Sequence, residues 1–328
     1  MKRTIYIFLF FSIISCSNDT SNQYDIDIYR FENYLFSSDS TNIVERKSVW
    51  EKELGDFAKY FDHYIMHRSN EDDLLYCNEL LLFVNNSEMR EVYDTIFLKY
   101  RDFHNLERQL ENAFSKWKGL FTQPPPNKII TLFSGFNYGV ISQDSMLIIG
   151  LDFFLGSNSK FYSFLQDPEY IRMQKTSKFL LSYALESWIN FNFSNYNMKS
   201  DFLSQMIYKG KIMYVINKLI PSSSIEDQFR FSKNEMFWCE NNEFGIWSYF
   251  IENDLLFSIQ QRELLSYLNP APFARGMPRE SPGRISYFIG YNIVSNYMRY
   301  NSDISIEKLM KETDAQLILK KSKYKPKR

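Results

Sequence analysis

The sequence contains few of the residues that disulfide-rich or metal-dependent domains require. Its 328 residues include three cysteines and three histidines, and Cys77 and Cys239 are the only cysteines beyond Cys16. They could pair in an oxidising compartment or remain as buried thiols. The net charge of −1 and the single basic run at residues 320–328 argue against the concentrated basic face of a nucleic-acid-binding protein. What the chain has instead is 30 Phe, 23 Tyr and 5 Trp, enough for a substantial core without disulfide support.

The N-terminus has the layout of a secretory signal peptide. Two basic residues precede an apolar stretch over residues 4–15, which is too short to span a hydrocarbon core of about 30 Å. Ser15 directly precedes Cys16, an arrangement that resembles the lipobox of bacterial lipoproteins, in which the cysteine is acylated after cleavage. We predict a signal peptide over residues 1–15, lipid attachment at Cys16 and a polar tether over residues 16–24. The alternative is an ordinary signal peptide in which the cysteine stands by chance.

Hydrophobic spacing predicts a mainly helical chain with one small sheet. Short apolar, partly β-branched runs separated by turn residues predict strands over residues 128–133, 138–142 and 146–151, with a hairpin around residues 143–145. The predicted fold class is α+β, with helices around one small central sheet. We predict one domain over residues 25–328, made of a helical N-terminal half (43–120), the sheet (128–151) and a helical C-terminal half (167–321).

The helices are predicted from apolar residues that recur at three- and four-residue steps. The clearest is one long amphipathic helix over residues 88–120, ended by three prolines. Asp167 and Pro168 are suited to the N-cap and first position of a helical stretch that runs to residue 188. The other predicted helices cover residues 43–68, 71–84, 201–219, 242–257, 260–268, 281–300, 305–310 and 314–321.

No catalytic motif is evident. His63 and His67 are four residues apart but lack the intervening glutamate of a zinc helix, and a solvated helix face explains them better. The acidic cluster of Glu235, Glu240 and Glu243 is typical of a wet helix surface. The chain has no nucleophile elbow and no glycine-rich phosphate loop. We therefore predict no catalytic residue, no metal ligand and no cofactor.

The run Ser281, Pro282, Gly283 and Arg284, followed by Gly290, is the most distinctive local feature. Ser281 is suited to a helix N-cap and Pro282 to the first helical position. The two glycines allow another backbone to approach closely. An arginine in the first turn opposes the helix dipole, so we expect a carboxylate from elsewhere in the fold to pair with Arg284. The alternative is that Arg284 is exposed.

Several motifs in succession resemble the GldB family, gliding-motility lipoproteins of Bacteroidota. The resemblance covers nearly the whole chain after the signal peptide, and its ordered succession is more specific than any single motif. The matching segments, after the lipobox, are residues 27–32 (Asp-Ile-Tyr-Arg-Phe-Glu), 149–156 (Ile-Gly-Leu-Asp-Phe-Phe-Leu-Gly), 168–171, 209–214, 242–247 and the run 281–284 with Gly290.

The resemblance implies a part in the envelope machinery of gliding, which is tied to type IX protein secretion, and no enzymatic reaction. The C-terminal half is also faintly similar to zincin-like proteases, which suggests a degenerate zincin-like arrangement. In those proteases a helix after the sheet carries His-Glu-x-x-His. The corresponding helix here holds Glu186, with Leu185 and Ile189 at the two ligand positions. Neither residue can bind zinc, which argues against peptidase activity.

Three functions are compatible with these motifs and with the family resemblance. The leading hypothesis is a non-enzymatic lipoprotein that supports gliding motility or type IX secretion. In this hypothesis its lipid holds it to the membrane, the outer in preference to the inner, and it faces the periplasm. It contacts other envelope proteins without binding nucleic acid or a small-molecule substrate. The second is a zincin-related peptidase or other envelope hydrolase. The third is a lipid- or peptide-binding module that binds its ligand through some of the many aromatic side chains. A pocket in the structure would favour this third hypothesis.

Overall fold

A computed structural model describes residues 24–68, 72–196 and 199–327. The predicted fold class is confirmed: the chain is predominantly helical, with one small mixed sheet of four strands. Buried apolar residues from both halves form one contiguous cluster, which extends from Tyr24 to Ile318. The predicted signal peptide and Cys16 lie outside the described residues. Within those residues, no helix is long and apolar enough to cross a membrane.

The sheet lies between the two helical halves. Its strands are β1 (Ile28–Arg30), β2 (Lys128–Leu132), β3 (Val140–Gln143) and β4 (Met146–Gly150), in the order β1-β2-β4-β3. β2 pairs in parallel with β1 and β4, whereas β3 pairs antiparallel with β4 and forms an edge of the sheet. The three predicted strands and their hairpin are confirmed, and the two turn residues have positive φ.

β1 has no counterpart in the predictions, because three residues are too few to show a period. A buried carboxylate holds this segment to the sheet. Glu32, which is fully buried, accepts hydrogen bonds from Arg30 Nε at 2.6 Å and from Thr131 Oγ1 at 2.7 Å. Tyr24 also belongs to the folded part and not to the tether that we predicted over residues 16–24, since its ring packs edge-on against Phe114.

The N-terminal half differs from the predictions where aromatic residues turn inward. The expected helix over residues 88–120 is two helices, because Tyr100 and Phe103 break it to enter the core and Tyr100 Oη donates to Phe154 O at 2.8 Å. The helix expected over residues 43–68 is broken at Gly55 and continues into a π-helical turn, Phe61–Ile65. The helices are α1 (Phe31–Phe36), α2 (Ile43–Leu54), α3 (Asp56–Tyr60), α4 (Asp73–Asn85), α5 (Ser87–Lys99) and α6 (His104–Leu120).

In the C-terminal half, the stretch expected from residue 167 to residue 188 is a short helix with Pro168 at its N-cap, a 3-10 turn and then a longer helix that begins at Leu180. The helix expected at residue 242 begins at Lys233, where Ser232 and Glu235 form a capping box. The helices are α7 (Lys160–Phe164), α8 (Glu169–Arg172), α9 (Leu180–Phe193), α10 (Phe202–Leu219), α11 (Ile225–Phe229), α12 (Lys233–Glu252), α13 (Gln261–Leu268), α14 (Ile285–Tyr300), α15 (Ile306–Lys311) and α16 (Ala315–Ser322).

Helices α10 and α14 cross in direct backbone contact. A Cβ atom on Gly290 would lie 2.1 Å from Met206 O, and a Cβ on Gly210 would lie 2.1 Å from the carbonyl carbon of Gly290. Gly290 thus allows the close approach expected of it, and its partner is Gly210. The contact also brings Lys209 of α10 to within 5.3 Å of the centre of the Tyr287 ring of α14, and both residues belong to the candidate site.

Candidate functional site

The segment before α14 does not have the predicted geometry. The helix begins at Ile285 and Arg284 occupies its N-cap with φ of +60°, so Pro282 is not in the helix. Ser281 does not cap it either: its Oγ donates to Pro278 O at 2.6 Å and accepts from Ala274 N at 3.1 Å. The reason is that the amide of Arg284 bonds to two carbonyls, that of Ser266 in the last turn of α13 and that of Asn269 in the loop that follows it, which holds the backbone in a left-handed conformation.

Gly283 allows a close approach, but to this loop and not to a helix. A Cβ on Gly283 would lie 2.3 Å from Ala271 N. The loop and the glycine together direct the Arg284 side chain inward, where it is 2% exposed. Its Nη1 donates to Phe229 O at 2.8 Å.

The carboxylate expected for Arg284 is that of Glu186, on α9. Arg284 Nη2 lies 3.7 Å from Glu186 Oε2 and Lys209 Nζ lies 3.7 Å from Glu186 Oε1. Arg230 makes a direct charge-assisted hydrogen bond to the same carboxylate, and Tyr287 Oη donates to Glu186 Oε1 at 2.9 Å. One carboxylate is therefore surrounded by three cations and a phenol. We name Glu186, Lys209, Arg230, Arg284 and Tyr287 the arginine cluster.

Aromatic faces hold the guanidinium groups in place. The Arg230 guanidinium lies 3.8 Å from the centre of the Tyr183 ring, and that of Arg284 lies 4.0 Å from the centre of the Tyr287 ring. Both distances are within the range of a cation–π contact. Tyr183 is on α9 and Tyr287 is on α14, so each of the two helices supplies one ring on which a guanidinium group is stacked.

The electrostatics of the cluster favour the charged forms of Glu186 and Lys209. Burial by itself raises the pKa of Glu186, but the attraction of Arg230, Lys209 and Arg284 outweighs it and lowers the pKa to about 2. Burial by itself lowers the pKa of Lys209, but Tyr287 and Glu186 raise it by more, so that the net shift of this pKa is upward. The carboxylate is thus ionised at neutral pH and serves as a counterion.

Two N–H groups of the cluster have no acceptor. They are Arg230 Nε and Arg284 Nη2, both buried and without a hydrogen-bond partner among the described residues. Unpaired buried donors are costly and uncommon in native proteins. Of the carboxylates that the structure describes, Glu186 is the only one within ion-pair distance of the three cations. The cluster therefore has an excess of two positive charges.

The arginine cluster lies where two clefts meet. The narrower cleft has a volume of about 580 Å³ and runs between the edge strand β3, helix α9 and the Arg284 segment. The wider one, of about 920 Å³, is bounded by α8, α12 and the loop that precedes Ser281. Arg230, Arg284 and Pro270 line both. We call the two together the groove.

The residues considered for metal or acid–base chemistry do not converge. His63, His67 and His104 are all exposed, and Leu185 and Ile189, on either side of Glu186, are buried. Glu235 caps α12, whereas Glu243 accepts hydrogen bonds from Asn292 and Tyr324. No group of three or more His, Cys, Asp or Glu in the described part of the chain could hold a metal ion. Cys77 and Cys239 are buried free thiols and do not pair.

Another buried carboxylate lies just after β4. Asp152, which is fully buried, accepts hydrogen bonds from Ser134 N at 2.9 Å, from Ser134 Oγ at 3.0 Å and from Phe136 N. Burial outweighs these hydrogen bonds and raises its pKa to about 6. The contacts hold the loop between β2 and β3, and we assign Asp152 a structural role.

Comparison with known proteins identifies the family to which the chain belongs. Residues 15–326 match the family described as "Gliding motility protein GldB". The chain belongs to the GldB family. No curated protein and no solved structure matches it. The predicted membership is confirmed, and with it an association with gliding motility.

Sequence reasoning located part of the arginine cluster. It anticipated a carboxylate partner for Arg284 and named Glu186 for a different reason, its place in a degenerate zinc motif. It missed Arg230, which is the C-cap residue of α11 and has a left-handed backbone with φ of +56°. It noted Lys209 only as part of a family motif. A single sequence carries no sign that residues 186, 209, 230 and 284 meet.

Proposed function

We propose that this GldB-family protein is a lipid-anchored component of the cell envelope, held by Cys16 in the outer membrane in preference to the inner, and facing the periplasm. In this proposal it supports gliding motility and the associated type IX secretion by contact with other envelope proteins, without catalysis. Family membership supports the place in gliding. The lipobox-like N-terminus supports the anchor.

One observation carries the non-catalytic part. In a zincin, the glutamate of the zinc helix acts as a general base toward a metal-bound water. Here the equivalent carboxylate, Glu186, is bonded to Arg230 and Tyr287. Its lowered pKa makes it a weak base. Its neighbours at the two ligand positions are the apolar residues Leu185 and Ile189.

The anchor is tested by labelling cells with radioactive palmitate. The wild-type protein should incorporate label, whereas Cys16→Ser should remain an unprocessed, unlabelled precursor. Cys77→Ser is the matched control and should label like the wild type. Normal labelling of Cys16→Ser would show that the lipid is attached elsewhere.

The role in motility is tested by complementation of a strain that lacks the gene. Wild-type protein should restore gliding and secretion, and Cys16→Ser should not. The zincin alternative is tested by elemental analysis and by a peptidase assay on the purified full chain. We expect far less than one metal ion per chain and no cleavage; a stoichiometric metal that chelators remove together with an activity would establish the peptidase instead.

A further inference from the structure

We infer that the arginine cluster is a receptor for one carboxylate of an extended polypeptide, which lies in the groove alongside β3. The inference rests on the proposed function, because it specifies the chemistry by which the protein would bind an envelope partner. It has three supports, namely the charge of the cluster, its unpaired donors and the free edge of the sheet.

The excess positive charge of the arginine cluster favours the binding of an anion. Three cations face one carboxylate, that of Glu186, at the junction of the two clefts. Repulsion between cations that share one buried carboxylate is strong where solvent is largely excluded. A second carboxylate would reduce the excess of two positive charges to one. The wider cleft carries Glu169, Glu235 and Glu280, so we place the bound carboxylate at the arginines and not along that cleft.

The unpaired donors fit a planar oxyanion. Arg230 Nε and Arg284 Nη2 lack acceptors among the described residues, and both arginine side chains line the groove. A carboxylate offers two oxygens to such donors and matches the planar geometry of a guanidinium. The aromatic contacts of Tyr183 and Tyr287 fix both groups in advance, which reduces the entropic cost of binding.

The free edge of the sheet favours a polypeptide over a small anion. β3 is an edge strand, and no strand in the described part of the chain pairs with it on the side away from β4. Val140, Ile141 and Ser142 line the narrower cleft beside α9, with which β3 shares a hydrogen bond of 2.8 Å between the hydroxyls of Ser142 and Ser187. An exposed edge provides backbone donors and acceptors to which an extended peptide can add as a further strand. Phe191 and Leu268 in the same cleft are suited to apolar side chains.

The inference is tested with a peptide library, so that no single sequence decides it. N-acetylated hexapeptides, randomised at every position, are prepared once with a free C-terminal carboxylate and once as the amide. Each set is passed over the immobilised full chain in detergent, and retained peptides are quantified by mass spectrometry. We expect carboxylate-bearing peptides to be retained about tenfold or more over neutral ones, as charge-assisted hydrogen bonds imply.

The two sources of a carboxylate are distinguished by the two sets. Preference for the free-acid set identifies a chain terminus as the ligand. Enrichment of Asp and Glu over Asn and Gln within the amide set identifies an acidic side chain. Either result supports the inference. Equal retention of neutral peptides, or no retention of any, would overturn it, as would stabilisation of the protein by inorganic phosphate without any retained peptide.

Variants separate ligand binding from a structural role. Arg230→Gln and Arg284→Gln should each weaken retention about tenfold or more, whereas Arg262→Gln, which removes an exposed arginine on α13, should not. Glu186→Gln should strengthen retention, and bound peptide should raise its melting temperature more than that of the wild type. A purely structural cluster would show weaker retention in all three cluster variants, so the opposite sign of Glu186→Gln is decisive even where an arginine variant fails to fold.

Failure of this inference is distinguishable from failure of the proposed function. Absence of binding overturns the carboxylate receptor and leaves the palmitate and gliding results untouched. Recovery of retained peptides in cleaved form would overturn the non-catalytic role instead, because it would show that the groove performs hydrolysis.

Discussion

Asp152, just after β4, and Glu186, on α9, are both buried, yet their surroundings shift their pKa values in opposite directions. Asp152 is held by a hydroxyl and two backbone amides, and burial raises its pKa to about 6. Burial also opposes ionisation of Glu186, but three cations lower its pKa to about 2. Neutral donors therefore do not offset the desolvation of a carboxylate here, whereas nearby cations do.

The difference separates a structural carboxylate from one that belongs to a candidate binding site. The hydrogen bonds of Asp152 close a loop within the sheet and involve no charged partner. The environment of Glu186 has more positive charge than the carboxylate can neutralise, and it faces a groove. The predictions below test this contrast, from the largest expected effect to the smallest.

Replacing Glu186 with Gln should have the largest effect on stability. The substitution leaves Arg230, Lys209 and Arg284 without their counterion, and breaking a buried ion pair costs about 3–5 kcal/mol. The free energy of unfolding in urea at pH 7 measures the loss. Glu240→Gln, which removes an exposed carboxylate on α12, is the control and should leave the midpoint nearly unchanged. A midpoint for Glu186→Gln equal to that of the wild type would mean that the cluster does not stabilise the fold.

The two carboxylates should give opposite pH dependences. The pKa of Asp152 is higher in the folded state, about 6, than its ordinary value of 3.8. Its contribution is therefore fully present below pH 3.8 and is lost as the pH rises through about 6, a change of about 3 kcal/mol. The pKa of Glu186 is about 2 in the folded state against an ordinary 4.5, so its contribution is present above pH 4.5 and is lost as the pH falls through about 2.

Urea unfolding at a series of pH values checks these windows. Asp152→Asn should lose the decline between pH 4 and 6, whereas Asp303→Asn, at an exposed position, should keep it. A decline of the same size in Asp152→Asn would show that another group causes it.

Replacing Gly290 with Ala should destabilise the cluster from a distance. The added methyl would lie 2.1 Å from Met206 O, so α10 and α14 must separate, and overpacking of this kind costs about 1–3 kcal/mol. Because Lys209 is on α10 and Tyr287 on α14, their contact should loosen as well. Gly245→Ala is the matched control: this helical glycine has open space around its Cα, and we expect a gain of up to about 1 kcal/mol. Thermal and urea unfolding of both variants should move in opposite directions.

The smallest effect is expected for Ser134→Ala. It removes the hydroxyl that donates to Asp152 at 3.0 Å and should cost about 1 kcal/mol. It should also move the titration of Asp152 to higher pH, because that hydrogen bond lowers the pKa of the carboxyl. Ser182→Ala, which removes an equally buried hydroxyl bonded to the neutral carbonyl of Gln228, should lose stability without any shift of the pH profile.

Much of the fold was predictable because it depends on local patterns. The strands β2, β3 and β4, the hairpin between β3 and β4, and helices such as α10 and α13 were all anticipated close to their observed bounds. The predictions failed where long-range contacts outweigh local preference. Tyr100 interrupts a helical pattern to reach Phe154 O, and Arg284 adopts a left-handed conformation because two distant carbonyls accept its amide.

The sequence by itself determined the fold class, the family and the need of Arg284 for a carboxylate, since these follow from hydrophobic period, ordered motifs and the charge of one side chain. The tertiary structure alone decided that the carboxylate is Glu186, that Arg230 and Lys209 join it, and that Glu186, Arg230 and Arg284 line a groove beside β3. The physical reason is that an ion pair depends on distance in space. Residues 186 and 284 are far apart along the chain, and only the packing of α9, α10 and α14 brings their charges together.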